Sequence, residues 1–485
     1  MPQNIELTPE HTVAGSTFSD PSIQSMWLTD INWDRTEKYV RRLQERIYQA
    51  TKCQQWAKVK NLQKLLARSY YAKVLAIREI TQRNHGKNTP GTDSKVYITP
   101  DERWSLTQEP FNYITDKPSP VKRIFIPKQD GTQRPLGIPT IHDRIMQMIV
   151  KYVLEPEWEA RFEPNSYGFR PGRSTIDAIY QIKEHLGRFN DMQWVLDADI
   201  SKCFDSIAHE PLLKQIPVFS KIIRRWLKAG VREFGNFSET DSGTPQGGII
   251  SPLLANIALH GMETLFKNNA SIHLVRYADD FVVIANSKGI LENKVLPKLK
   301  TFLEMRELNL NPIKTRINHR TEGFNFLGFH IKFLIRPKAF TSFLHVTPPK
   351  EKISKVVRKI KTILKTMLHR PLDEVIVELN WIIRGWVYYY RFSNASNAFS
   401  YLTNRIFQAT WRTLKRRHPH KSSTWIISNY FKTVGKKHWC LFKDNFTLFD
   451  PQSVPVKRYN KVNENYSPFD RSLRAYWRER SFINS

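Results

Sequence analysis

The sequence predicts an α+β protein in which a mixed region of strands and helices is flanked by helical regions. Between about residues 88 and 335, short apolar runs of strand length alternate with helical patterns, which is typical of this class. Residues 34–81 carry apolar side chains three to four positions apart among Lys and Arg, which predicts long basic helices. After the break at Pro348-Pro349, regularly spaced apolar residues predict an amphipathic basic helix over residues 350–368.

Two adjacent carboxylates interrupt one of the predicted β-hairpins. Tyr277-Ala278-Asp279-Asp280 lies inside an apolar run that otherwise has the pattern of a buried hairpin. Burying an unpaired carboxylate is costly, and divalent cations between carboxylates remove that cost. The ordinary alternative is a polar hairpin turn, because Asp is common in turns. The segment alone therefore leaves a metal site and a plain turn as interpretations.

A third carboxylate lies upstream, where Asp199 is near the end of a short apolar segment of strand type. A strand ending in Asp beside a hairpin that carries Asp-Asp is the layout of a polymerase palm. In such sites two Mg²⁺ ions, roughly 3.5–4 Å apart, clamp the attacking and leaving oxygens of a phosphoryl transfer. Asp197 and Asp205 compete with Asp199 on composition alone, and the two-residue spacing lets Asp197 and Asp199 share a face.

The composition favours a nucleic-acid enzyme. The 485 residues contain 75 Lys and Arg against 45 Asp and Glu, a formal charge of +30 that predicts salt-sensitive attraction to phosphate backbones. Residues 350–485 hold 27 basic and nine acidic side chains, so more than half of the excess lies in the last part of the chain. This asymmetry predicts a C-terminal surface that grips RNA or DNA.

Seven motifs follow one another along the chain: Asn88–Asp93, Arg123–Lys128 with Arg134–Thr140 and Asp143-Arg144, Ser166–Ser174, the Asp199 segment, Gly243–Leu253, Tyr277–Asp280, and Asn309–Thr315 with Phe326–Phe329. In this order and spacing they resemble the reverse transcriptase and maturase family encoded by group II introns. The resemblance also covers Leu379–Arg391, which is similar to the most recognisable segment of the family's maturase domain. The resemblance implies a right-hand polymerase with reverse transcriptase fingers and palm, followed by an α-helical thumb and a small basic C-terminal region.

The resemblance also implies a choice among the carboxylates. The family's metal-binding Asp precedes Ile or Val and lies five residues before an aromatic residue, which matches Asp199 and matches neither Asp197 nor Asp205. The residues implied to hold two Mg²⁺ ions, with Mn²⁺ as a substitute, are Asp199, Ile200, Asp279 and Asp280, of which the three Asp are catalytic. Phe204 then takes the place of the aromatic ring that crowds the sugar 2′ position and excludes ribonucleotides. Without the family, Phe204 would be an ordinary core residue.

Further contacts follow from matching the other motifs. The residues implied to bind the incoming nucleotide are Lys128, Arg134, Phe204 and Gln246. Lys128 and Arg134 flank a turn between short strands, which without the family would be a solvated basic hairpin. The residues implied to bind template or RNA are Arg170, Arg173, Lys314, Lys352, Lys355, Lys359 and Arg384.

The predicted domains follow the same matches. We expect a loosely ordered tail at residues 1–25, fingers and palm with an N-terminal helical extension at 26–335, a thumb or maturase domain at 336–415, and a DNA-binding region at 416–485. No cluster of paired Cys and His follows Tyr476, so we expect no endonuclease of the family's Cys/His type. Three distant cysteines and the absence of a long apolar run favour a reducing, cytoplasmic setting without a membrane.

The resemblance implies an RNA-directed DNA polymerase that binds its group II intron RNA, assists splicing, and supports intron mobility by target-primed reverse transcription. The implied partners are intron RNA, target DNA, an RNA template with a DNA primer, and dNTPs; a homodimer is left open. Two other functions remain as alternatives. One is a splicing factor with an idle palm, which the intact site residues argue against. The other is an RNA-dependent RNA polymerase, which typically carries a smaller or different residue at the position of Phe204.

Overall fold

The computed structural model describes residues 26–127, 131–188, 191–336, 341–435 and 437–484. These form two compact units. The first contains residues up to 157 with 216–241 and 245–250, and the second contains 158–215, 242–244 and 251–485. The tail predicted at residues 1–25 and the nucleotide contact predicted at Lys128 lie outside the described residues. The boundaries predicted at residues 335 and 415 stay predictions.

The helices account for most of the regular structure. They are α1 (Trp33–Lys52), α2 (Trp56–Ala67), α3 (Tyr70–Arg78), α4 (Pro100–Gln108), α5 (Ile141–Glu159), α6 (Thr175–Arg188), α7 (Cys203–Ser206), α8 (His209–Gln215), α9 (Ser220–Leu227), α10 (Ser251–Ala258), α11 (Lys288–Ile290), α12 (Leu296–Glu304), α13 (Lys350–Thr366), α14 (Leu372–Tyr390), α15 (Ser396–Arg417), α16 (Ser423–Tyr430) and α17 (Arg474–Asn484). Residues 34–81 are thus helical for most of their length, and the helix predicted at 350–368 is α13.

The strands form four small sheets. They are β1 (Val121–Pro127), β2 (Gln133–Ile138), β3 (Trp194–Asp199), β4 (Val231–Glu233), β5 (Asn236–Ser238), β6 (Ile272–Tyr277), β7 (Asp280–Ala285), β8 (Arg316–His319), β9 (Phe324–Phe326), β10 (Phe329–Arg336), β11 (Thr341–Thr347), β12 (Phe431–Val434), β13 (Lys437–Lys443) and β14 (Phe446–Thr447). The sheet orders are β2-β1-β4-β5, β6-β7-β3-β8, β11-β10-β9 and β12-β13-β14. This mixture confirms the predicted α+β class.

The first unit packs amphipathic helices around one apolar core. Helix α1 buries Val40, Leu43 and Ile47 on one stripe, and Asn32 caps its start by accepting a hydrogen bond from the Arg35 amide at 2.9 Å. Helix α5 adds apolar side chains at helical spacing to the same core. The antiparallel pair of β1 and β2 belongs to this unit, and residues 128–130 of the predicted basic turn lie outside the described residues.

In the second unit, β3 lies between β7 and β8, and β6 completes the sheet. All three pairings are antiparallel. Val195 and Leu196 of β3 and most of β7 are fully buried, which explains their continuous apolar pattern. This buried sheet is the rigid support of the candidate site, because the predicted carboxylates lie at the ends of its strands.

The later strands and helices share the apolar core of the second unit. Helix α14 is joined to the segment between β9 and β10 by two tyrosine hydroxyls: Tyr389 donates to the Leu327 carbonyl at 2.8 Å and Tyr390 to the Gly328 carbonyl at 2.9 Å. Helix α13 buries Val356, Val357, Ile360, Ile363 and Leu364. Within the described ranges, no helix is long and apolar enough to cross a membrane.

Candidate active site

Three predicted carboxylates lie at one end of the sheet in the second unit. Asp199 is the last residue of β3 and lies directly opposite Asp280, the first residue of β7. Asp280 also pairs with Tyr277 of β6, so Ala278 and Asp279 form a two-residue hairpin turn between these strands. The predicted hairpin is therefore confirmed, and strand register brings together residues about 80 positions apart in the sequence.

The turn is held in an unusual backbone conformation by groups beneath it. Ala278 has a φ of +58°, in the left-handed region that L residues rarely adopt. Arg276, which is fully buried, donates through Nη1 to the Ala278 carbonyl at 3.2 Å and to Asn256 Oδ1 at 3.0 Å. Asn256 Nδ2 donates in turn to the Gly168 carbonyl at 2.7 Å. A Cβ atom at Gly168 would lie 2.4 Å from the Ala278 nitrogen, so only glycine fits against the turn.

Arg276 and Asn256 are positioning residues that the motif analysis missed. The signal for Arg276 was present, because a lone Arg interrupts the apolar run of β6 immediately before the Tyr277–Asp280 motif. Burial lowers the pKa of Arg276, and the carboxylates of Glu163 and Glu263 oppose that shift. A buried guanidinium in a strand commonly serves as a hydrogen-bond donor to nearby backbone. Asn256 lies in α10 and gave no sequence signal.

The carboxylates strongly perturb one another. Loss of solvent, followed by the charges of Asp279 and Asp199, raises the pKa of Asp280 to about 7. Burial and then Asp199 raise the pKa of Asp197 to about 6, while Arg316 opposes the shift. Lys314 donates through Nζ to Asp199 Oδ2 at 2.7 Å, and this hydrogen bond raises the pKa of the ammonium. Burial and the neighbouring carboxylates therefore disfavour the charged forms of Asp280 and Asp197, and a bound cation would favour them.

The donor chemistry of the cluster fits Mg²⁺. Carboxylate oxygens are the ligands that this hard cation prefers, and a bound cation would offset both the burial and the neighbouring negative charges that raise the pKa of Asp280. Among the described residues, no three Asp, Glu, His or Cys side chains converge closely enough to form a ready-made metal site. The likeness to a metal site thus rests on the opposed pair Asp199 and Asp280, with Asp279 in the adjoining turn.

Phe204 lies on the short helix α7, five residues after the end of β3. Its carbonyl accepts a hydrogen bond from the Thr244 amide at 2.6 Å, and its half-buried ring meets the Phe169 ring edge-on with centroids 6.2 Å apart. Phe169 is half exposed and has a φ of +59°. The two rings form an aromatic corner on the second unit, and Phe169 was not among the predicted site residues.

Two of the predicted nucleotide contacts belong to the first unit. Arg134 is an exposed side chain of β2, opposite Ile126 of β1. The Gln246 carbonyl accepts a hydrogen bond from the Gly137 amide at 2.6 Å, which ties the predicted glycine-rich turn to β2. Gly247 has a φ of +115°, and a Cβ there would lie 2.7 Å from the Gly137 carbonyl oxygen. The glycine permits this close approach of two backbones.

The prediction that Arg170 faces the template is corrected by the structure. Its guanidinium is buried and makes a bidentate ion pair with Glu159, with Nε–Oε1 at 2.8 Å and Nη2–Oε2 at 3.0 Å. The guanidinium of Arg173 is also used inside the protein, because Nη1 donates to the Pro164 carbonyl and Nη2 donates to the Glu464 carbonyl. Burial lowers the pKa of Arg173 to about 10. Both arginines hold the Ser166–Ser174 segment in place and present no free guanidinium to a phosphate.

The predicted RNA contacts from residue 350 onward are on the surface. Lys352, Lys355 and Lys359 are exposed on α13, at the spacing of one helix face. Arg384 is exposed on α14, with its guanidinium 4.9 Å from the centre of the Phe449 ring. These four cations are therefore accessible to a nucleic-acid backbone.

Comparisons with known proteins agree with this geometry. A family model for reverse transcriptase (RNA-dependent DNA polymerase) matches residues 126–331, one for the N-terminal domain of reverse transcriptase matches 27–109, and one for the group II intron maturase-specific domain matches 353–431. Protein YkfC of Escherichia coli (strain K12) is 32% identical over 340 residues, covering 59% of this chain and 86% of that protein. Group II intron-encoded protein LtrA of Lactococcus lactis subsp. cremoris is 27% identical over 396 residues, covering 62% and 65%. Maturase-like protein 1 of Euglena gracilis is 25% identical over 456 residues, covering 89% and 94%.

The opposed strand-end carboxylates and the largest family match define the class of the protein, which is a reverse transcriptase. The maturase-specific match and the relatives narrow this class further. The chain belongs to the reverse transcriptases and maturases encoded by group II introns. The family prediction made from the seven motifs is thereby confirmed.

Proposed function

We propose that this protein is an RNA-directed DNA polymerase that also binds a group II intron RNA, assists its splicing, and supports intron mobility by target-primed reverse transcription. The observation that carries the proposal is the register of Asp199 against Asp280, beside a turn that presents Asp279. The maturase-specific match to residues 353–431 supports the splicing role.

The proposed chemistry is attack of a primer 3′-hydroxyl on the α-phosphate of a dNTP, with release of pyrophosphate. Asp199, Asp279 and Asp280 would hold two Mg²⁺ ions, which supply charge neutralisation at the attacking and leaving oxygens. Lys314, already paired with Asp199, would add a positive charge beside the reacting phosphates. The protein contributes mainly orientation, because the β-hairpin fixes where the carboxylates lie before substrate binds.

Phe204 is proposed to select deoxyribonucleotides by filling the space that a 2′-hydroxyl needs. The contact of its backbone with Thr244 and of its ring with Phe169 supports a fixed ring position. The variant Phe204→Val should raise incorporation of rNTPs relative to dNTPs while leaving the carboxylates in place. A wild-type protein that uses both nucleotides equally, or a Phe204→Val variant with unchanged preference, would refute this role of Phe204.

The RNA-binding role is assigned to the exposed face of α13 that carries Lys352, Lys355 and Lys359, with Arg384 nearby in the sequence. Binding to single-stranded RNA should weaken with salt in proportion to the number of phosphates neutralised, with a slope of about 0.7 per contact. Neutralising the three lysines should therefore lower the salt slope by about two units. An unchanged slope would place the RNA surface elsewhere.

The decisive experiment separates polymerisation from splicing. The double variant Asp279→Ala/Asp280→Ala should lose primer extension on an RNA template yet still bind intron RNA and promote splicing at low Mg²⁺. The control Glu292→Ala/Glu304→Ala removes two exposed acids of the same unit and should retain both activities. Primer extension by a folded Asp279/Asp280 variant at the wild-type rate would refute the polymerase site. A folded variant that cannot support splicing would show that the two functions are not separable.

A further inference from the structure

A cavity of about 480 Å³ lies between α15 and the strands β12 and β13 of the second unit. Residues 448–451 close it on one side. None of its lining residues belongs to the carboxylate site or to the predicted RNA-binding set. The maturase-specific match ends at residue 431, so the cavity uses residues on both sides of that limit.

Aromatic rings form one wall of this cavity. The Phe407 ring stacks on Trp439, with centroids 5.8 Å apart and planes 21° apart, and Phe407 stacks similarly on Trp411 at 6.3 Å and 22°. Trp439 is 50% exposed, so one part of the indole is covered and the rest is open to an incoming group. A flat apolar surface of this kind is suited to a second flat ring.

The backbone at Trp439 is strained. Its φ is +59°, in the left-handed region that bulky L residues rarely adopt and that persists where the surroundings impose it. Strand β13 continues on both sides of Trp439, and its neighbour Cys440 is buried. The left-handed turn thus keeps the indole on the surface beside the cavity although it sits in a largely apolar strand.

Polar groups line another part of the cavity. Thr410 is 1% exposed, and its hydroxyl has no hydrogen-bond partner within the described parts of the chain. Asp450 Oδ1 accepts from the Thr403 hydroxyl at 2.9 Å and pairs with Lys437 Nζ at 2.5 Å. A buried hydroxyl without a partner is costly, and a ligand with ring nitrogens or a carbonyl would satisfy it.

The composition of the segments that form the cavity favours a ligand that is part of a polyanion. Residues 400–452 contain ten Lys and Arg and only two Asp. Among the residues that line the cavity, Lys437 carries the positive charge and pairs with Asp450. Exposed aromatic rings in a basic part of a chain are the combination that proteins use for single-stranded nucleic acid, in which the strand follows the cations and bases stack on rings. An apolar peptide or an uncharged small molecule would gain nothing from these cations.

We propose that this cavity binds one unpaired nucleobase of a nucleic-acid strand, by stacking on Trp439 and hydrogen bonding to Thr410. The site is separate from the polymerase carboxylates, and it rests on the proposed function only in that the strand is nucleic acid. RNA and DNA share the base chemistry, so the two sources are distinguished by experiment.

The test compares a short hairpin RNA that carries one bulged nucleotide with the same hairpin carrying an abasic residue in the bulge. A second arm uses the corresponding DNA hairpins. Affinities of the full-length protein are measured by fluorescence anisotropy. We expect the intact bulge to bind about tenfold more tightly than the abasic one in at least one arm, because stacking of one base contributes about that much.

Variants assign the difference to the cavity. Trp439→Ala should remove the preference for the intact bulge, whereas Trp56→Ala, which truncates an indole of similar exposure (47%) in the first unit, should keep it. Photocrosslinking of a 4-thiouridine bulge to unmodified protein should map to peptides containing Phe407 or Trp439, and this readout does not depend on folding of a variant. Equal affinity for intact and abasic bulges in both arms, or a preference that survives in Trp439→Ala, would overturn the proposal. If the full-length protein prefers the intact bulge but does not extend a primer on an RNA template, the proposed polymerase function is wrong and the base-binding site stands.

Discussion

Arg480 of α17 joins the C-terminal residues to the Ser166–Ser174 segment, and its removal should destabilise the second unit. Its Nη2 donates to Asp177 Oδ1 and to the Tyr459 hydroxyl, both at 2.7 Å, and its Nη1 donates to the Gly172 carbonyl at 3.0 Å. The side chain of Asp177 is completely buried. The substitution Arg480→Met keeps most of the apolar stem but leaves this carboxylate without its cation.

The expected loss follows from the surroundings of Asp177. Breaking a buried ion pair by removing one partner costs about 3–5 kcal/mol. Asp177 keeps hydrogen bonds from the amides of Ser174 at 2.8 Å and Val462 at 2.7 Å, so the lower end of that range applies. The second unit contains about 300 residues. At roughly 2 cal/mol/K of unfolding entropy per residue, a loss of about 3 kcal/mol lowers Tm by about 5 °C.

The assay is thermal unfolding of full-length variants, followed by intrinsic fluorescence at a fixed scan rate. Arg478→Met is the matched control, because it removes an exposed Arg of the same helix and should change stability by less than about 0.5 kcal/mol. Asp177→Asn/Arg480→Met should be less destabilised than the sum of its single variants, since both charges are removed together. If the Tm of Arg480→Met lies within a degree of the wild-type value, or if Arg478→Met lowers the Tm by the same amount, the buried ion pair does not have the assigned role.

Two further outcomes follow from the site and its support. Gly168→Ala should reduce primer extension by about tenfold or more while the protein stays folded, because the added Cβ must displace the turn that carries Asp279. Gly187→Ala is the control and should leave the rate unchanged, since nothing lies within 4 Å of the new atom. Equal rates of primer extension for both variants would contradict the argument. Burial raises the pKa of Glu263 from 4.5 to about 7, so this carboxyl destabilises the fold progressively as pH rises from about 4.5 to 7. Glu263→Gln removes that penalty, and the Tm of the variant relative to wild type should therefore increase between pH 5 and 7 and level off above pH 7; a difference that does not change with pH would refute the assignment.

The local sequence pattern was sufficient to predict the parts of the site that lie on strands. The apolar runs around Asp199 and Asp280 predicted two buried strands, and the antiparallel register then brought the carboxylates together. Local pattern failed for Arg170, because its partner Glu159 lies at the end of the preceding helix and its burial depends on tertiary packing. Local pattern also failed to predict that the C-terminal residues pack on the Ser166–Ser174 segment, where a Cβ at Gly172 would lie 2.8 Å from the Trp477 ring. Contacts between residues about 300 positions apart leave no periodic signal in either segment.

The tertiary contacts also change what the excess of positive charge means. Several C-terminal cations are used inside the protein: Arg480 pairs with Asp177, and Lys461 pairs with Glu184 at 2.8 Å. Such cations compensate acids of the second unit and are not available to phosphate. The exposed cations of α13 are in a different position, because no carboxylate of the described residues forms an ion pair with Lys352, Lys355 or Lys359 in this structure. A charge count over the last part of the chain therefore overstates the nucleic-acid surface, and burial is what separates the cations that stabilise the fold from those that can bind RNA.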